Sequence, residues 1–216
     1  MQTETTSWDT TWPRTRARHA AWWRQAGFVV ASWNQPHWGE HDREPDLDPG
    51  WPADPRRRYE DVAWRTESAH WRMARASFPI DTLPCANTCI GPGSLALALG
   101  SEPGFSDQTV WFLPCWEGID DPTTIPTVRF DPDAYWYQIH ERTCRSMAER
   151  AQGRYLIGCP DLIENIDILA SLRDTQTLMM DLLDEPEWVE EQVAAIDEAW
   201  IAAFEGLRPW LDDGAG

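Results

Sequence analysis

Apolar positions along this chain follow two patterns. Over long stretches they recur three and four residues apart, which is the signature of a helix with one buried face. This spacing predicts helices over Arg14–Ala26, over Arg56–Ser77 (Tyr59, Val62, Ala63, Ala69, Met73, Ala76) and from Asp131-Pro132 to about Gln152. It predicts more over Ile163–Leu172, around Thr177–Leu183, and over Pro186–Leu207 (Val189, Val193, Ile196, Trp200, Phe204). Between them lie short continuous apolar runs bounded by glycine and proline: Phe28–Trp33, Phe78–Pro84, Thr109–Leu113 and Tyr155–Gly158. Such runs read as buried strands. Val128–Phe130 reads as a short edge-like piece, and Gly93–Gly100 (GSLALALG) as a short buried helix.

Helices alternating with short apolar strands predict a βα-repeat architecture. The stretch Gly153–Pro186 organises it: a strand, a break at Pro160-Asp161, then two helices. The loop after that strand carries Asp161, Glu164, Asn165 and Asp167, on the face where βα-repeat proteins do their chemistry. Residues 1–13 read as a disordered tail, residues 14–210 as one domain, and Asn34–Pro55, with five prolines, as a long loop.

Composition narrows the function classes. The 216 residues, 42% hydrophobic, suffice for one sizeable core. A net charge of −18 excludes nucleic acid and anionic membranes as natural partners. All 18 basic residues are arginine, so a Walker-type phosphate loop and a Schiff-base lysine are excluded. The five cysteines, an odd and widely spaced set, read as reduced thiols of a cytoplasmic protein. No apolar run reaches the ~20 residues of a membrane span. Fifteen tryptophans point to large aromatic faces in a core or cleft.

Four segments carry a resemblance: AWWRQAGFVV; DTLPCANTCIGPGSLALALGSEPGFSDQTVWF; FDPDAYWYQIHERTCRSMAERAQGRYLIGCPDLIENIDILASLRDTQTLMMDLLDEP; and EWVEEQVAAIDEAW. In this order they resemble the uroporphyrinogen-decarboxylase-like superfamily, in particular its uncharacterised bacterial branch. The resemblance implies a (β/α)8 barrel. This chain is shorter than the ~250 residues such a barrel needs, so the expected fold is a partial TIM-type barrel, the N-terminal half or more. The implied activity is a cofactor-free carboxy-lyase acting on a tetrapyrrole or similar polycarboxylate as small-molecule substrate. One alternative is a methyltransferase-type member working with zinc and a corrinoid. Another is a non-catalytic fragment or subunit, completed as a homo-oligomer or by a second chain.

The resemblance assigns Asp81 to the family's strand-end aspartate, which stabilises a cationic intermediate; here Phe78 and Asp81 are one residue further apart than in the family. Read from the residues alone, Asp81 is equally an aspartate that caps a turn before Pro84. Arg24 matches the first arginine of the family's substrate-binding signature, but Phe28 stands where the second would be; an exposed arginine near a helix C-terminus accounts for it as well. Trp111 suits a pocket wall for a flat ligand, or core filler. Asp161 and Asp167 are candidate substrate-binding acids. Asp161 also suits a helix N-cap, with Glu164 as its capping-box partner. His37 and His41 lack the helix that would align them on a metal, and His70 and His140 read as helix histidines. Cys85 and Cys89 have no matching second pair and read as small hydrophobes. No metal ligand is assigned.

Overall fold

The structure, a computed structural model, describes residues 11–31, 37–38, 49–163 and 165–211. Four helices build the core. α3 (Val62–Arg75) lies against α4 (Tyr135–Ala151), and α5 (Asn165–Arg173) and α4 both pack on the long α7 (Pro186–Leu211). Where they meet, Met147 and Cys144 of α4, Ile168 and Leu172 of α5, and Ile196 and Leu207 of α7 are sealed from solvent; Leu169, Leu172, Val189 and Ile196 of the faces expected from spacing are buried, whereas Ile166 and Trp200 are exposed. At Gly206 of α7 a Cβ would overlap the Tyr137 hydroxyl. The missing side chain thus lets α4 approach closely enough for Tyr137 to donate to the Ala203 carbonyl at 3.0 Å. Around this core lie α1 (Trp12–Trp23), α2 (Arg57–Glu60) and α6 (Thr175–Asp184).

The partial (β/α)8 barrel is not what forms. Among the described residues the molecule is mostly helical, and its strands are two to four residues long in three separate two-stranded sheets. β1 (His37–Trp38) pairs antiparallel with β2 (Ala76–Ser77). β3 (Cys85–Ala86) pairs in parallel with β6 (Leu156–Ile157). β4 (Glu102–Phe105) pairs antiparallel with β5 (Val110–Leu113).

The predicted strands fail for local reasons. Phe78–Pro84 contains two prolines, which cannot donate to a ladder, and Ile80 takes a left-handed backbone, φ 60°. What survives is a single bridge between Ile80 and Ala31, so the Phe28–Trp33 run shrinks to the same bridge, Ser32 and Trp33 lying outside the described residues. Thr109–Leu113 does form a strand, but as half of a hairpin. The Ser106 hydroxyl accepts from the Gln108 and Thr109 amides and turns the chain straight back onto Glu102–Phe105. Val128–Phe130 takes no strand pairing.

The predicted helices stand, with shifted ends. Arg56–Ser77 divides at Asp61, whose extended backbone and carboxylate, accepting from the Trp64 amide, make it the N-cap of α3. The 131–152 helix starts at Tyr135, after Asp131 has spent its carboxylate on the Asp133 amide. GSLALALG forms a tight 3-10 turn, Ser94–Ala98, entered through the left-handed Gly93.

Candidate functional site

The parallel pair is where the chain departs from simple helix packing. Its two strands run in the same direction, so both C-terminal ends open toward one place. From β3 the chain continues as Asn87-Thr88-Cys89, and from β6 as Gly158-Cys159-Pro160-Asp161. Thr88 Oγ1 donates to the Gly158 carbonyl at 2.6 Å, and the Asn87 carboxamide accepts from the Cys89 amide at 2.7 Å. The Ser94 amide reaches the Asp161 carbonyl at 2.9 Å, which ties the 3-10 turn to the same end. A Cβ on Gly158 would stand 2.9 Å from the Ala86 carbonyl oxygen, so the close approach of the two strands requires glycine there.

Beneath this end lies Arg65 of α3. It is buried, and its guanidinium donates to the carbonyls of Thr88 (2.7 Å), Cys89 (3.0 Å) and Tyr59 (3.3 Å) and to Thr143 Oγ1 (3.5 Å). No carboxylate among the described residues pairs with it. Burial lowers its pKa from 12.5 to about 10, which still leaves it a cation at neutral pH. His140 and Cys144, one turn apart on α4, are buried beside it. Among the described residues neither ring nitrogen of His140 makes a well-formed hydrogen bond, and the Thr88 backbone is its polar neighbour. Burial, helped by the nearby Arg65 charge, brings its pKa down to about 3, so the ring is neutral.

Four of the five thiols belong to this region. Cys85, Cys89, Cys144 and Cys159 influence one another, and burial pushes all four pKa values up: Cys85 to about 11 and Cys144 to about 12. They are therefore thiols, not thiolates, at neutral pH, which suits structural cysteines rather than nucleophiles. Among the described residues no group of three His, Cys, Asp or Glu side chains is arranged to hold a metal ion.

No family model, curated protein or solved structure matches this chain.

The candidate residues of the sequence are spread over the molecule. Asp81 is 1% exposed and already engaged. Its Oδ1 lies 2.6 Å from Arg18 Nε, its Oδ2 accepts from the Val30 amide at 3.0 Å, and its own carbonyl meets His19 Nε2 at 2.7 Å. The Val30 hydrogen bond, followed by the Arg18 contact, lowers its pKa. In this setting Asp81 fastens α1 and the Phe28–Ala31 segment to the rest of the chain. Arg24 is exposed at the C-terminal end of α1. Trp111 is half exposed on β5, opposite Gly104, where its ring fills the space of a side chain. Asp167 is exposed in the first turn of α5, and its carbonyl accepts from Ser171 Oγ.

Of these five, Asp161 stands at the strand-end site, exposed beside Cys89 and Cys159. α5 begins at Asn165, four residues beyond it, so Asp161 does not cap that helix; Glu164 lies outside the described residues, as do His41 and the side chain of His37. None of the five shares a hydrogen bond or ion pair with another. Sequence reasoning passed over Arg65 and Thr88, and gave His140 no role beyond that of a helix histidine. The signal that pointed to this place was the cysteines flanking both strands, Cys85 and Cys89 around the first and Cys159 after the second.

Proposed function

We propose that this chain is a uroporphyrinogen-decarboxylase-like carboxy-lyase that takes a small polycarboxylate, a tetrapyrrole or a compound of similar charge, at the C-terminal end of the β3–β6 pair. The observation that carries the reading is Arg65, a buried guanidinium held by carbonyls and a hydroxyl and with no carboxylate partner among the described residues, directly behind the Thr88–Cys89 turn. Such a charge is costly to bury unless something answers it, and a substrate carboxylate at the strand ends would do so. Two of the four segments behind the family resemblance also meet here, through Thr88 to Gly158 and Ser94 to Asp161. The net charge of −18 opposes an anion at long range. Capture is therefore local, within the roughly 8 Å over which charges act at physiological salt.

In this reading Asp161 supplies the negative charge that a cationic ring intermediate needs, since the carboxylate of Asp81 is already bound. A proton added to the ring forms the cation; the acetate carboxylate then leaves as carbon dioxide, its bonding pair flows through the side-chain methylene into the ring and discharges the cation, and a second proton takes the vacated position on the methylene as the ring gives up the first. No observation favours the zinc–corrinoid alternative.

Titration with uroporphyrin, followed by tryptophan quenching and porphyrin absorbance, tests the reading against the octamethyl ester of the same porphyrin. The expected result is binding of the acid at least about tenfold tighter than of the ester, a difference of about 1.4 kcal/mol, with Asp161→Asn retaining binding and losing carbon dioxide release from the reduced substrate. Equal affinity for acid and ester, or no binding, would overturn it.

A further inference from the structure

The exposed face of α6 carries a second, independent inference. This helix turns Leu178 and Asp181 inward, both buried. At 100° per residue the opposite side presents Gln176, Met179, Met180 and Leu183, spaced i, i+3, i+4 and i+7. Met179, Met180 and Leu183 are 61, 56 and 76% exposed, and Leu182 on the flank is 40% exposed. Three large apolar side chains on one face of a ten-residue helix are more than the single scattered hydrophobics of an ordinary surface. Methionine is also the residue that adapts most readily to an incoming apolar surface.

The charge around this face is one-sided. From Asp174 to Leu207 the chain has ten acidic residues and no basic one; of the ten, Asp181 is buried against Arg173. Asp184, Glu185 and Glu187 are exposed where α6 ends and α7 begins.

We propose that the Met179–Met180–Leu183 face docks a basic amphipathic helix of a partner protein. The partner's apolar stripe would cover the methionines and leucine, and its lysines or arginines would meet the acidic rim. A second copy of this chain is a poor occupant, because it would bring an identical acidic rim, on a molecule of charge −18, against the first. An anionic bilayer is disfavoured for the same reason.

The test is fluorescence anisotropy of the whole chain with a labelled synthetic helix of leucine and lysine patterned at the helical period. The same peptide with glutamate for lysine, and a scrambled leucine–lysine peptide, are the controls. Saturable binding of the patterned basic peptide is expected. It should weaken at least about tenfold when salt rises from about 50 mM to about 500 mM, as the Debye length shrinks. The double variant Met180→Gln, Leu183→Gln should weaken it by a similar factor with an unchanged far-UV circular dichroism spectrum, since both side chains already face water. Equal binding of the glutamate or scrambled peptide, or indifference to the double variant, would overturn the proposal. So would light scattering that shows a dimer of the chain alone, dissociated by the double variant; that result would assign the face to a second copy.

Discussion

Arg173 Nε lies 2.6 Å from Asp181 Oδ2, and both side chains are buried, at 1% and 8% exposure. The pair joins the last residue of α5 to the middle of α6. The guanidinium also donates to the Trp116 and Ile119 carbonyls at 3.1 and 2.6 Å, fastening the loop after β5 to the same point. Removing one partner leaves the other charge buried and unanswered, which costs about 3–5 kcal/mol. Asp181→Ala should therefore lower the midpoint of urea unfolding by that equivalent. Replacing both residues together with leucine should recover much of the loss. A single-variant loss under about 1 kcal/mol would show the pair to be solvated.

Asp81 yields a different kind of prediction. In α1 only Thr15 is buried, and a helix of 12 residues is marginal without tertiary contacts. Its attachment runs through Arg18 and His19 to Asp81, and through Arg18 to the Phe28 carbonyl at 3.2 Å. Asp81→Asn removes the Arg18 ion pair and keeps the His19 contact to the residue 81 carbonyl, so it should loosen α1 without unfolding the core: faster amide exchange over residues 12–23, faster proteolysis before residue 30, and little change over α4 and α7. If Asp81 instead served catalysis alone, exchange in α1 would not move.

The helical half of this fold was legible in the sequence because a helix closes its hydrogen bonds locally, and its apolar period survives any partner. Leu169 and Leu172, at 0% exposure, could be read from spacing alone, whereas Ile166, read into the same face, is exposed and the buried Ile168 takes its place. The strands were not legible, because a short apolar run does not say what it will pair with. Val110–Leu113 found its neighbour in the adjacent hairpin arm, while Leu156–Ile157 found one some seventy residues earlier. Extending those runs into a barrel came from resemblance, and Pro79, Pro84 and the left-handed Ile80 stood against it. The strand-end site was half legible. Asp161 and the flanking cysteines were visible in the sequence, but Arg65 was not, since an arginine in an amphipathic helix is ordinarily a solvated one.

His140 gives the pH dependence. The folded state holds its pKa near 3, against an ordinary value of 6.5. Between those limits the unfolded chain binds a proton that the folded chain refuses, so stability rises with pH and is lost as pH falls from about 6.5. The slope from this one residue approaches about 1.4 kcal/mol per pH unit. Glu60, Asp61 and Asp81, with pKa values lowered by their hydrogen-bond and ion-pair partners, add acid sensitivity only below their ordinary values of 4.5, 3.8 and 3.8. In the interval from pH 4.5 to 6.5 the His140 contribution is therefore read as the difference between the parent and the His140→Leu chain, the other histidines being common to both. Because its ring makes no well-formed hydrogen bond among the described residues, the Thr88 backbone being its polar neighbour, His140→Leu should be tolerated at pH 8 and should flatten the stability curve in that interval. An unchanged curve would mean that the ring titrates at its ordinary value in the folded state as well.

The thiols decide whether the strand-end site works by covalent chemistry. Cys85 reaches the surface, yet its sulfur is set against Gly158, 3.3 Å from where a Cβ would stand, with the Ala86 carbonyl 3.9 Å away. Burial pushes its pKa up to about 11. Only the thiolate attacks an alkylating agent, so at pH 8 the thiolate fraction is about 0.1%, compared with roughly a quarter for a free cysteine at its ordinary value of about 8.5. Iodoacetamide labelling of Cys85, followed by peptide mass spectrometry, should therefore be slow at pH 8 and keep rising to about pH 11. The three other thiols of the cluster should also lag behind free cysteine. With no thiolate available at neutral pH, Cys85→Ser and Cys159→Ser should leave porphyrin binding and carbon dioxide release within about twofold of the parent. A Cys159→Ser variant that kept porphyrin binding but lost turnover would place a sulfur nucleophile at the end of β6 and move the chemistry from Asp161 to that thiol.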